Sequence, residues 1–197
     1  ILVYLFPPLF GEGYQALTDL LNNNSDAMFK NSFFYSYVDN KWLFVIVLLA
    51  ITFLKAFATS ITCASGGVGG TFAPSLFIGG FCGFFVARMV NMTGLIEVAE
   101  SNFALVGMAA VMAGVMHSPL TATFLIAEIT GGYALFTPLL IATTIAYVVV
   151  KPLTKYSIYA ESLAAKGDLM THNKDKTALH FIDKRNLIET NFVKLSP

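Results

Sequence analysis

Residues Ser65-Gly66-Gly67-Val68-Gly69-Gly70-Thr71-Phe72-Ala73-Pro74 offer main-chain hydrogen-bond donors with few side chains to crowd them. A glycine-rich turn that opens a helix leaves several N–H groups without an intrahelical acceptor. The helix dipole adds about half a positive charge at the same end. Together these make a helix tip suited to a small anion. Pro74 fits the first helical turn, where its missing N–H costs nothing. The donors expected from this spacing are the N–H groups of Gly70, Thr71, Phe72 and Ala73. The same turn could equally serve only to bring two helices close together. A nucleotide loop is disfavoured, because neither Gly-x-Gly-x-x-Gly nor Gly-Lys-Ser/Thr occurs in the turn and no strand precedes it.

The surroundings define the medium. No charged side chain occurs from Ala56 to Ala87. The chain of 197 residues is 56% hydrophobic and 12% charged, with a mean hydropathy of +0.68, whereas soluble domains carry about 25% charged residues. Between Ala56 and Val150 the charges are Arg88, Glu97, Glu100 and Glu128, and more than half of all charges follow Val150. The chain is therefore expected to leave the apolar phase near Lys151. A net charge of zero points away from nucleic acid as a partner. At bilayer depth, non-helical backbone is tolerated only where it is buried in protein or lines a cavity. A chloride-sized ion entering that cavity loses its water shell. Partial charges on amides can replace the shell without binding too tightly for release, which a lysine would risk. Cys63 and Cys82 lie in apolar runs and are expected to pack in the core rather than form a disulfide or metal pair.

Several elements are expected to position this turn. Ile1–Phe6 reads as the tail of an apolar helix stopped by Pro7-Pro8. Leu9–Leu21 reads as a short interfacial or re-entrant helix, and Asn22–Asp26 as a solvent loop. Trp42–Thr62 has the length of a span, with Trp42 at one interface and Lys55 either snorkelling or facing protein. After the glycine turn, a helix runs from Pro74 to about Val90. Shorter ones cover Asn102–Met116, Leu120–Thr130 and Tyr133–Val150, broken at His117-Ser118-Pro119 and Gly131-Gly132. Short hydrophobic segments interrupted by Gly and Pro mark broken helices that meet near the membrane midplane. Small residues at Gly79-Gly80 and from Gly107 to Gly114 allow close helix approach. Lys166–Lys176 reads as a linker, and Thr177–Leu195 as the start of a soluble domain too short to bury its own core. The chain begins with Ile1 and shows no signal peptide, so it reads as part of something longer.

These residues resemble the second half of the membrane domain of the CLC chloride channel and chloride/proton antiporter family. Ser65-Gly66-Gly67 with Gly70-Thr71-Phe72-Ala73-Pro74 is similar to the family's Gly-x-Phe-x-Pro anion-binding segment. Gly107-Met108-Ala109-Ala110, Ser118-Pro119-Leu120-Thr121 and Glu128-Ile129-Thr130 follow in the family's order. Lys151–Gly167, with Ser157-Ile158-Tyr159, resembles its last membrane helix, and Leu187–Val193 resembles the entry into cytoplasmic CBS domains. The resemblance implies an all-α integral membrane fold whose broken and re-entrant helices form one half of an inverted repeat. On this reading residues 1–165 belong to the membrane domain, and residues 166–197 lead toward a CBS-type domain. It also implies that Thr71 and Phe72 give main-chain N–H groups to a central chloride and that Tyr159 adds its hydroxyl. Tyr156, three residues away on the same face, is the competing tyrosine, and either could instead be an interfacial anchor. A phenol suits the task because it donates one hydrogen bond and stays neutral at neutral pH.

What the resemblance implies about partners follows from the same half-domain. Chloride or a similar monovalent anion is the transported ligand, and no cofactor or metal is expected. The missing N-terminal half would supply a serine ligand and the glutamates that gate and carry protons, which leaves passive channel and proton-coupled antiporter both open. The helices from Leu120 to Val150 would form part of a homodimer interface. The protein would be multi-pass in the cell membrane with a cytoplasmic C-terminal tail. Among the remaining ionisable residues, Glu128 is expected to bond neighbouring N–H groups, His117 to serve as a loop or cap residue, and Arg88 to snorkel. An enzyme is disfavoured, for the apolar core has no paired carboxylates, metal-ligand spacing or nucleophile with a base. The rival readings are an unrelated transporter of a small organic anion and a non-conducting structural subunit.

Overall fold

The computed structural model describes residues 6–22, 41–67, 69–166 and Leu169. Every regular element among them is helical: a tight turn at Pro7–Leu9, then α1 (Tyr14–Leu21), α2 (Lys41–Ala64), α3 (Phe72–Thr93), α4 (Glu100–Met116), α5 (Pro119–Ile129), α6 (Phe136–Val150) and α7 (Ile158–Lys166). The chain divides into a unit ending at Ser157 and a second beginning at Ile158.

In the first unit, α2 and α3 are long and apolar enough to cross a membrane. At 1.5 Å per residue the 24 residues of α2 reach about 36 Å, against roughly 30 Å of bilayer hydrocarbon. Its outer stripe of Trp42, Ile46, Leu49, Phe53, Phe57 and Ile61 is exposed, while Phe44, Leu48 and Ile51 are buried. A helix that is apolar on both faces suits protein on one side and lipid on the other. α4, α5 and α6 are apolar but shorter.

The core gathers around α3. One cluster joins Leu9, Leu20, Phe44, Leu48 and Ile51 to Phe77, Phe81 and Phe84; a second joins Leu76 to Met108, Met112, Ile126 and Leu139. Phe77 stacks on Phe81 with ring centres 4.1 Å apart. α3 and α4 cross at Gly79, Gly83 and Gly107, where a Cβ would run into the backbone of the facing helix. Small residues are what allow that approach. α5 and α6 are joined by a buried hydrogen bond between the hydroxyls of Thr123 and Thr143, 2.8 Å apart.

Boundaries differ from expectation in physically legible ways. The helix expected from Leu9 starts at Tyr14, because the chain first makes the turn at Pro7–Leu9 and enters through Gly13 at φ +85°. α3 begins at Phe72, which puts Pro74 third in the helix, within the first turn. α6 starts at Phe136 because Tyr133–Leu135 form a turn, closed by Phe136 N–H on the Tyr133 carbonyl. Where the resemblance implied a helix from Lys151, the chain instead turns at Lys151–Leu153, and helix resumes only at Ile158. The expected helix tail at Ile1–Leu5, the loop after Asn22, and the linker and domain start beyond Lys166 lie outside the described residues, Leu169 apart.

Candidate functional site

The glycine turn divides into two parts with different tasks. Gly66 and Gly67 end α2: the Gly66 N–H bonds the Cys63 carbonyl at 3.3 Å and the Gly67 N–H bonds Thr62 at 3.0 Å. Gly66 adopts φ +79°, so this is the paired closure by which a left-handed glycine satisfies the last carbonyls of a helix. A Cβ on Gly67 would lie 2.9 Å from the Thr62 carbonyl oxygen, whereas one on Gly70 meets nothing within 4 Å. The first two glycines therefore serve the helix behind, and Gly69-Gly70 keep the entrance to α3 clear.

α3 opens without a side-chain cap. Its first intrahelical bond runs from the Ser75 N–H to the Thr71 carbonyl at 3.1 Å. The N–H groups of Phe72 and Ala73 stand ahead of that ladder, and no acceptor for them occurs among the described residues. Pro74 has no N–H to satisfy, and the Ser75 hydroxyl turns back to the Phe72 carbonyl at 2.6 Å. Thr71 takes the N-cap position.

A cavity of about 710 Å³ opens onto this helix end. Gly70, Phe72, Ala73 and Pro74 form one part of its wall, and Lys55, Thr59, Thr62 and Glu12 contribute to the rest. The sequence placed the amides here but left Lys55 undecided. Its side chain is buried at 3% exposure, so it faces protein. Its ammonium donates to the carbonyl of Gly11 at 2.7 Å and of Leu9 at 3.4 Å. Phe77 turns its ring face to the same ammonium at 5.0 Å. The available signal was a single charge within an otherwise apolar span. Its partners, 44 and 46 residues earlier in the chain, carried none.

Other expected residues fall as follows. Tyr159 lies near the start of α7 in the second unit, while Tyr156 sits in the first unit with the Lys155 ammonium 5.3 Å from its ring centre. His117 is the C-cap of α4 at φ +56° and its Nε2 is 3.0 Å from the Thr154 hydroxyl, a cap as expected. Arg88 does not snorkel; it pairs with Glu100 at 3.1 Å and lies over the Phe44 ring. A partner twelve residues on, brought back by the α3–α4 turn, explains the difference. The Glu128 side chain is exposed and takes no N–H among the described residues; the N–H groups of Gly131 and Gly132 instead close α5 on main-chain carbonyls. Cys63 and Cys82 are both exposed rather than packed in the core. No cluster of metal-ligating side chains occurs among the described residues.

Comparison with known proteins adds a family. The profile described as voltage gated chloride channel matches residues 1–151. A chloride channel protein CLC-e from Arabidopsis thaliana is 41% identical over 110 residues, covering 51% of this chain and 16% of the relative. A putative chloride channel protein ClcB-like from Ralstonia nicotianae is 31% identical over 164 residues, 82% of this chain and 34% of the relative. The voltage-gated ClC-type chloride channel ClcB from Escherichia coli is 36% identical over 123 residues, 61% of this chain and 29% of the relative. The matched portion is about a third or less of each of these relatives' length.

Proposed function

We propose, for a chain that belongs to the voltage gated chloride channel family, that it forms the half of a membrane transport domain that holds chloride, or a similar monovalent anion, on the main-chain amides of Phe72 and Ala73. The observation that carries this reading is an uncapped helix N-terminus opening into a cavity between apolar helices. A partial charge from amides replaces lost water while still letting the ion leave. Gly70 keeps the approach free of side chains, and Thr71 and Pro74 set the geometry of the first turn; the family resemblance alone adds the hydroxyl of Tyr159 as a further donor. The ion itself is the cargo; the reading needs no metal or cofactor and no catalytic chemistry. It covers passive conduction and exchange for protons alike, since the groups that separate them are assigned to the other half of the domain.

Replacing the Phe72 amide by an ester tests the assignment, because it deletes one donor and leaves the side chain intact. A hydrogen bond to a charged group contributes about 1.5–3 kcal/mol, so the half-saturating chloride for flux through the intact protein in liposomes should rise about tenfold or more. Unchanged affinity would contradict the assignment. Competition by an organic anion that outmatches chloride would favour the rival transporter reading.

The same reading extends to assembly and topology. Residues 1–165 form the membrane part and residues 166–197 lead to a cytoplasmic regulatory domain, with the protein in the cell membrane. Two copies meet through the helices between Leu120 and Val150, where Leu120, Phe124, Ile141, Ile145 and Val148 leave apolar surface exposed. Native mass measurement in mild detergent should give a dimer, and a stable monomer would reject this part.

A further inference from the structure

Ser75 is buried at 5% exposure, in a stretch of α3 where Ala73, Leu76 and Phe77 are buried and apolar. An apolar residue would fill such a place without leaving a hydroxyl to satisfy. Both polar hydrogens of Ser75 turn back to the helix tip. Its N–H bonds the Thr71 carbonyl at 3.1 Å, and its hydroxyl bonds the Phe72 carbonyl at 2.6 Å. A carbonyl and the N–H of the following residue belong to one planar, conjugated unit. The Thr71 carbonyl therefore shares its unit with the Phe72 N–H, and the Phe72 carbonyl shares its unit with the Ala73 N–H. These are the two N–H groups that stand ahead of the ladder with no acceptor among the described residues. Hydroxyls on α2 make similar bonds, such as Thr52 to the Leu48 carbonyl and Thr59 to that of Lys55. Inside a helix, however, the N–H across the peptide is already bonded within the ladder. At the tip of α3 that N–H is left for a ligand in the cavity that Phe72 and Ala73 line.

We propose that Ser75 is a positioning residue for the anion site: by donating to the Phe72 carbonyl, its hydroxyl polarises and orients the Phe72–Ala73 peptide, so that the Ala73 N–H becomes a stronger donor to a small inorganic anion. This rests on the anion-site reading above and adds to it a residue that does not touch the ion. Hydrogen bonds in a chain strengthen one another by about 10–30% per bond in a protein interior. Here the first link runs from hydroxyl to carbonyl and the second from N–H to ion. A neutral group raises donor strength without adding a fixed charge, so the ion can still leave. The Ser75 N–H acts in the same sense on the Phe72 amide, but any residue except proline supplies it. The hydroxyl is what the side chain alone provides.

The half-saturating chloride for flux by the intact protein in liposomes tests this in two ways. Ser75→Ala deletes the hydroxyl and keeps the backbone bond, and should raise that concentration about two- to fourfold. Ser75→Thr and Ser75→Val share a shape and differ in the hydroxyl, so the valine variant should need more chloride than the threonine variant by a similar factor. The second test combines Ser75→Ala with replacement of one amide by an ester. Once the Ala73 N–H is deleted, the Ser75→Ala effect should disappear; with the Phe72 N–H deleted instead, it should persist in full. A merely structural role would act alike in both backgrounds. Ser75→Ala saturating like wild type overturns the proposal, and so does an equal effect in the two ester backgrounds. Equal saturation of Ser75→Thr and Ser75→Val overturns it even where Ser75→Ala fails to fold. Wild-type protein without saturable chloride flux is a separate outcome, which removes the anion-site reading itself.

Discussion

Replacing Gly107 with alanine puts a methyl group into the crossing of α3 and α4. That methyl would meet the carbonyl oxygen of Gly79, and the main-chain nitrogen and Cα of Gly83 at 2.9 Å, against about 3.4 Å for ordinary contact. All three are backbone atoms, so no side chain can rotate away. The helices must instead part by roughly an ångström, and overpacking of this kind costs about 1–3 kcal/mol. Alanine's better helix propensity offsets close to 1 kcal/mol of it. With every contact fixed, the upper end applies and the net loss is about 2 kcal/mol. Because α3 carries the Phe72 and Ala73 amides, the shift should also weaken chloride affinity. Denaturation of the purified protein by SDS, followed by circular dichroism, measures the stability change. Gly132→Ala is the control, since its Cβ would meet nothing within 4 Å. A Gly107→Ala midpoint equal to wild type would refute the packing argument.

Further outcomes follow from the same geometry. Thr123→Val should cost about 1 kcal/mol, the usual worth of one buried hydrogen bond. The double variant with Thr143→Val should lose less than the sum of the two singles, because the hydroxyls share one bond at 2.8 Å; strict additivity in a double-mutant cycle would contradict the pairing. Tyr159→Phe should raise the half-saturating chloride several-fold, the effect of losing about 1 kcal/mol or more of hydrogen bonding, while Tyr156→Phe should leave it unchanged. The reverse pattern would move the ligand to Tyr156.

Much of the helical layout was legible because its breaks are local. Pro119 starts α5; Gly66-Gly67 and Gly131-Gly132 end α2 and α5 by bonding back to carbonyls three and five residues earlier. Such signals are written into a few consecutive residues. The small-residue crossing was legible too, since Gly79 and Gly107 have no other reason to interrupt apolar helices. Partners were not. Lys55 reaches Gly11 across 44 residues, and Arg88 finds Glu100 only because the chain reverses after Gly94. A one-dimensional pattern records that a charge stands in an apolar run, and the packing of other elements decides what it faces. The glycine turn misled in one respect: all its glycines read as room for an ion, while the first two close the preceding helix.

Bromide scatters anomalously and substitutes for chloride, so a crystal of the intact protein grown or soaked in bromide tests the site most directly. An anomalous peak is expected within hydrogen-bond reach of the Phe72 and Ala73 nitrogens. Bromide density confined to other positions, in a protein that conducts the ion, would contradict it.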